Sequence, residues 1–212
     1  LGPVVRDHRS PPALFSRIDY LGNYPSDRSP GWSSELQGLA HDNQNWFITQ
    51  KSKLWKFPVT HDLNQQVSGP DPAKGILAVG IPNSLTQLRY NHFGDLDQYA
   101  GFLFIPLEGP VIPAIRSQFG SVLRPEVPAP IPSIAVFRAQ DLSFVGSFPL
   151  SGQRKAGWCA LRAESDGLYL YTSNDVIDGS NPIFRYRVDL LQLNAGPANA
   201  PGAFKPANSV TL

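Results

Sequence analysis

"GDLDQYAGFLFIPLEG" (residues 94–109) opens with a glycine-led short strand, passes through a turn and runs into an apolar strand, Phe102 to Glu108. The same order begins at Gly38 in "GLAHDNQNWFITQKSKLWKFPVTHDL", with the apolar strand at Trp46 to Gln50. It begins again at Gly157 in "GWCALRAESDGLYLYTSN", with the apolar strand at Leu168 to Ser173. A second apolar strand then follows each time, ending in Asp-Leu. Its matching positions are Leu54, Phe57, Val59 and Asp62-Leu63; Ile134, Phe137, Ala139 and Asp141-Leu142; Ile183, Tyr186, Val188 and Asp189-Leu190. Such self-similarity marks a repeat architecture, in which each unit buries its faces only against its neighbours.

A fourth strand completes each unit: "GILAVGIP" (75–82), "SFVGSFPL" (143–150) and "ANSVTL" (207–212). Four antiparallel strands in each of three units predict an all-β chain made of β-propeller blades. No helical periodicity persists at length. The Pro-rich stretch "LRPEVPAPIPS" (123–133) interrupts the second unit between its second and third strands and reads as a loop on one face.

Over residues 15–212 the chain resembles secreted β-propellers of the six-bladed type, through the glycine-led strands and the Phe/Tyr-x-Val/Ala…Asp-Leu ends. Residues 15–212 are then a propeller domain or part of one, and residues 1–14 an N-terminal arm. "SRIDYLGNYP" (16–25) is a spare strand of the kind that closes a ring by joining the last blade. Closed propellers use about 4–8 blades, so the resemblance implies that closure needs a second chain or missing blades. An open edge and an apolar face would call for a partner.

Lys plus Arg number 18 against 17 acidic residues, which gives no overall electrostatic footprint for nucleic acid or anionic lipid. The 21 Pro and 18 Gly suit many turns between short strands. No apolar run is long enough for a transmembrane helix. A chain that starts at Leu1 and contains no Met is expected to be processed, and hence secreted or periplasmic. Cys159 is the only cysteine, so no internal disulfide forms, and it reads as a small buried residue.

Aligned repeats put Gly38, Gly94 and Gly157 together, followed by Leu39, Asp95 and Trp158, and then His41, Asp97 and Ala160. His92, Asp95, Asp97, His41 and Asp42 therefore map to inner strands or their entrances, beside the channel where propellers bind ligands. His92, Asp95 and Asp97 admit three readings: hydrogen-bonded blade corners, ligands of a calcium ion, or acid–base groups. Trp32, in a loop composition, and Trp158, at the start of an inner strand, are candidates for stacking on a sugar ring. No phosphate loop, nucleophile elbow, zinc motif or dinucleotide fingerprint is present.

The leading expectation is an extracellular binding propeller, lectin-like or protein-binding. Its polar channel face would include His41, Asp42, Trp32 and Trp158, with calcium as the one implied cofactor. A metal-dependent hydrolase or lactonase in the same channel is the alternative, with His92, Asp95 and Asp97 holding the cation.

Overall fold

The computed structural model describes residues 31–118, 120, 122–174, 182–197 and 202–208. The expected arm and the spare strand at 16–25 lie outside the described residues. Three antiparallel sheets follow one another along the chain. Sheet 1 is β1 (Leu36–His41), β2 (Asn45–Gln50), β3 (Lys53–Pro58) and β4 (Leu77–Gly80), paired in chain order. After the short helix α1 (Asn83–Thr86), sheet 2 takes β5 (His92–Phe93), β6 (Asp97–Tyr99) and β7 (Phe102–Glu108). A separate hairpin, β8 (Ile115–Arg116) with β9 (Val122–Arg124), intervenes before β10 (Ser133–Arg138) and β11 (Phe144–Pro149) complete sheet 2. Sheet 3 is β12 (Ala160–Glu164), β13 (Gly167–Thr172), β14 (Phe184–Val188) and β15 (Phe204–Pro206), with helix α2 (Leu190–Asn194) between its last two strands. The chain is thus all-β, and no described helix is long and apolar enough to cross a membrane.

Sheet 2 lies between the other two, which explains why β7 and β10 read as unbroken apolar runs. Leu103, Ile105 and Leu107 face one way and pack with Phe47 and Leu54 of sheet 1. Phe102, Phe104, Ile134 and Val136 face the other way, against Leu168, Leu170, Tyr186 and Phe204 of sheet 3. The far face of sheet 1, with Ile48, Trp55 and Phe57, is covered by Trp32, Val67 and Ile76 from the chain's own connections.

Turn chemistry accounts for the repeated Asp-Leu. Oδ1 of Asp62, Asp141 and Asp189 accepts the backbone N–H two residues on, at 2.9, 2.9 and 3.0 Å. Asp62 and Asp141 thereby form Asx turns in the connections that follow β3 and β10, and Asp189, which also accepts from Gln192 N–H at 3.2 Å, caps α2 directly after β14. Ala100 and Gly101, with φ of 49° and 81°, link β6 to β7 through a two-residue turn of the left-handed kind that hairpins prefer. The Pro-rich insertion is held at its neck: Arg89 Nη2 donates to the Pro128 carbonyl at 2.7 Å, and the Tyr90 hydroxyl donates to that of Ile131 at 2.5 Å.

Two expectations need correction. The fourth strand of the third unit is β15, Phe204–Pro206, rather than 207–212, of which 209–212 lie outside the described residues. Phe204 fixes the register because its ring stacks on Phe148 at 4.9 Å and meets Phe104 edge-on at 6.1 Å. The glycine-led strand of the second unit is also broken in two, β5 and β6, by a bulge at residues 94–96.

Candidate functional site

That bulge brings the three sheets together. Gly94 N–H donates to the Pro106 carbonyl at 2.8 Å, but Pro106 has no N–H to return. The Gly94 carbonyl instead accepts from Thr49 Oγ1 of sheet 1 at 2.9 Å, and the inner strand opens. Inside the opening, Asp95 N–H donates to the Gly157 carbonyl at 2.8 Å and the Asp95 carbonyl accepts from Cys159 N–H at 3.3 Å. Backbone approach this close tolerates no side chain. A Cβ on Gly94 would sit 2.5 Å from the Gly157 oxygen, and one on Gly38 would sit 2.2 Å from Asp95 Oδ1.

Carboxylates staple the sheets to one another at this inner edge. The Asp95 carboxylate lies close to sheet 1 at Gly38, and the backbone N–H groups of Leu39 and of its neighbour Leu96 favour its ionised form. Asp97 Oδ2 accepts from Leu161 N–H of sheet 3 at 2.6 Å, while its Oδ1 takes Gln98 N–H at 2.7 Å. Glu108 Oε1 accepts from Ala156 N–H at 2.5 Å, and its Oε2 pairs with Lys155 at 3.2 Å. Asp95 is exposed as a residue, but partial burial of its carboxyl is the main influence on it and raises it above the usual carboxylate range. The Leu39 backbone N–H opposes that rise, and the nearby charge of Asp97 adds to it.

The other expected residues are distributed around this junction. His92 lies half-buried on β5 opposite Glu108, on the far side of the bulge from Asp97. Among the described residues no group of three or more His, Cys, Asp and Glu is placed to hold a metal ion. His41 ends β1, its ring 5.2 Å from that of Trp46 and its Nδ1 3.2 Å from the Asp42 carbonyl oxygen. Asp42 Oδ1 accepts from the N–H groups of Gln44 and Asn45 at 2.7 Å each, so its carboxylate shapes the β1–β2 turn. Trp158 is half-buried, with its indole N–H donated to Ser173 Oγ at 2.9 Å. Cys159 is buried, its thiol donating to the Phe104 carbonyl at 3.2 Å. Burial first, and then the charge of Asp97, push that thiol well above its ordinary value, which removes it as a nucleophile at neutral pH.

Trp32 departs most from its expected place in an exposed loop. It is 2% exposed, with its ring 5.3 Å from that of Phe57, because the aromatic far face of sheet 1 needs cover. Its position creates a site that loop composition did not announce. A groove of about 420 Å³ runs along β1, lined by Trp32, Leu36, Leu39, Ile48 and Leu63, with Asp95 reaching it past the missing side chain of Gly38. Leu36 and Leu39 stand 46% and 58% exposed on its wall.

No protein-family model matches this chain, and no curated protein is similar to it at a significant level. Its chemistry must therefore be read from the groove itself: a mainly apolar cleft with one carboxylate whose proton is held more tightly than usual. Sequence alignment did place Leu39 and Asp95 at equivalent positions after their glycines, and both line the groove. Leu36 was missed, since an isolated leucine carries no periodic signal, and Leu63 was legible only as a repeat position and not as a groove wall.

Proposed function

We propose that the chain is a binding module built of propeller blades, secreted or periplasmic, that takes an apolar segment of a protein partner in the groove beside Asp95. The observation that carries this reading is the pair of exposed leucines, Leu36 and Leu39, on a groove with a single carboxylate. Small pockets that bind well are mainly apolar with a few placed polar groups. A partner side chain carrying an amine or guanidinium would meet Asp95, and aliphatic groups would meet Leu39 and Leu63. Protein is favoured over a neutral sugar because stacking needs an open aromatic face. Trp32 is covered, and Trp158 is half-buried and tied to Ser173.

Selection of short random peptides against the immobilised chain tests this reading. Enrichment of aliphatic peptides with a basic residue is the expected result. Failure to enrich any peptide over background, or enrichment that is the same on Leu39→Asp, contradicts it.

The hydrolase or lactonase alternative draws no support from this geometry. Both Asp97 oxygens are engaged by backbone N–H groups, and His92 does not join the two aspartates as a ligand set.

A further inference from the structure

Sheet 3 turns a second chemically distinct surface outward. Strand alternation sends Leu168, Leu170, Val188 and Phe204 into the core and the residues between them to the opposite face. On that face four side chains stand in register across all four strands. Arg162 is opposite Tyr169, Tyr169 is opposite Arg187, and Arg187 is opposite Lys205. At a strand spacing of about 4.8 Å the row spans about 14 Å. Arg187 and Lys205 are like charges placed directly across from one another, an arrangement that destabilises a sheet unless anions offset it, and the Asp166 carboxylate lies within electrostatic reach of Arg187.

Nearby carboxylates are already engaged. Glu164 pairs with Arg185 at 2.7 Å, whose guanidinium lies 3.5 Å from the Tyr169 ring centroid. Asp166 accepts the Tyr169 hydroxyl at 2.8 Å. Arg187 Nη2 donates to the Asp166 backbone carbonyl at 2.8 Å. Among the described residues none of Arg162, Arg187 and Lys205 forms an ion pair with a carboxylate, and all three are exposed. Two grooves flank the row: one of about 590 Å³ beside Arg162 and Arg185, and one of about 500 Å³ beside Arg187 and Lys205.

We infer that this row is a binding site for an acidic polysaccharide, whose carboxylate or sulfate groups are taken by Arg162, Arg187 and Lys205. Guanidinium groups suit such oxyanions because they donate two parallel hydrogen bonds. Other polyanions fit less well. Tyr169 is 4% exposed beneath Arg185, which leaves no open ring along the row for a nucleic-acid base. The groove beside Arg187 and Lys205 offers one widely exposed aliphatic side chain, Leu191 at 81%, where a protein interface is centred on a cluster of anchors. The chain's formal net charge is only +1, so retention on a polyanion must come from a local cluster and not from bulk charge.

Heparin is the probe for the sulfated case and polygalacturonate for the carboxylated one. The protein is expected to bind at least one of them at low salt. Arg187→Ala with Lys205→Ala should weaken binding about tenfold or more and reduce the salt dependence by about two counterions. The control pair Lys53→Ala with Arg124→Ala removes the same charge elsewhere and should change affinity less than about twofold. Arg162→Ala, on a different strand, should weaken binding in the same direction, so that the result does not depend on one variant folding. No retention on either polymer, or equal weakening by the control pair, overturns the inference. Polyglutamate that competes as well as the bound polysaccharide at equal charge also overturns it, in favour of an acidic protein. The peptide-binding groove at Asp95 stands or falls separately.

Discussion

Oδ1 of Asp95 fills the space that a side chain at residue 38 would need, 2.2 Å from where a Cβ on Gly38 would lie. One carboxylate thereby joins the inner strands of sheets 1 and 2 while its own backbone joins sheet 3. The same residue also lines the groove. Packing between sheets and ligand recognition therefore share a residue.

Gly38→Ala and Gly94→Ala should each cost about 3 kcal/mol or more, because backbone atoms of a neighbouring sheet must move. At this chain length that is a fall of roughly 6–12 °C in the thermal midpoint. Gly69 has nothing within 4 Å of its would-be Cβ, so Gly69→Ala should be neutral or raise the midpoint slightly. Equal effects at all three positions would show that the close approach of the inner strands is wrong.

Acidification should favour the wild type over Asp95→Asn. The Asp95 carboxyl is raised in the folded state by burial, from an ordinary value of 3.8. Between 3.8 and its raised folded value, the folded chain holds a proton that the unfolded chain has lost. Stability from this group is thus present below the ordinary value and is lost as pH rises through the folded one. Denaturant unfolding at pH 7 should find Asp95→Asn as stable as wild type or more so, with wild type gaining relative to the variant toward pH 4. The opposite trend would mean that the ionised form is the favoured one.

Thr49→Val should cost about 1–3 kcal/mol, since it leaves the Gly94 carbonyl without a donor in a buried place. Thr49→Ser keeps the hydroxyl and should recover much of that loss. A Thr49→Val variant as stable as wild type would mean that this hydrogen bond contributes nothing net.

Calcium should leave the thermal midpoint unchanged between excess EDTA and millimolar calcium, because the Asp97 oxygens are taken by backbone N–H groups. Binding to the folded state alone must raise stability by mass action. A midpoint that climbs, and that Asp97→Ala flattens, would restore the cation reading of His92, Asp95 and Asp97.

The sheets were legible because their signals are local. Phe102 to Glu108 is a strand by composition and by its turn, and the repeated Asp-Leu marks the three units. What stayed hidden depends on register. The bulge at residues 94–96 follows from Pro106 lying opposite Gly94, which no local pattern displays. Arg162, Arg187 and Lys205 are scattered among balanced charges in the sequence, and only strand pairing puts them in one row. Trp32 sits in loop-like sequence, yet the face bearing Phe57 needed an aromatic cover. The groove that this cover creates could be read only from the assembled sheets.

The most direct test of the binding account is the affinity of a selected peptide for wild type, Leu39→Asp, Asp95→Asn and Leu191→Asp. Leu191 is 81% exposed on α2 and does not line the groove, so Leu191→Asp should bind as wild type does. Leu39→Asp should lose about tenfold or more, roughly 1.4 kcal/mol, and Asp95→Asn should lose affinity for peptides carrying the basic residue. Binding that is indifferent to Leu39 and Asp95 would contradict the account and move the site away from the inner strands.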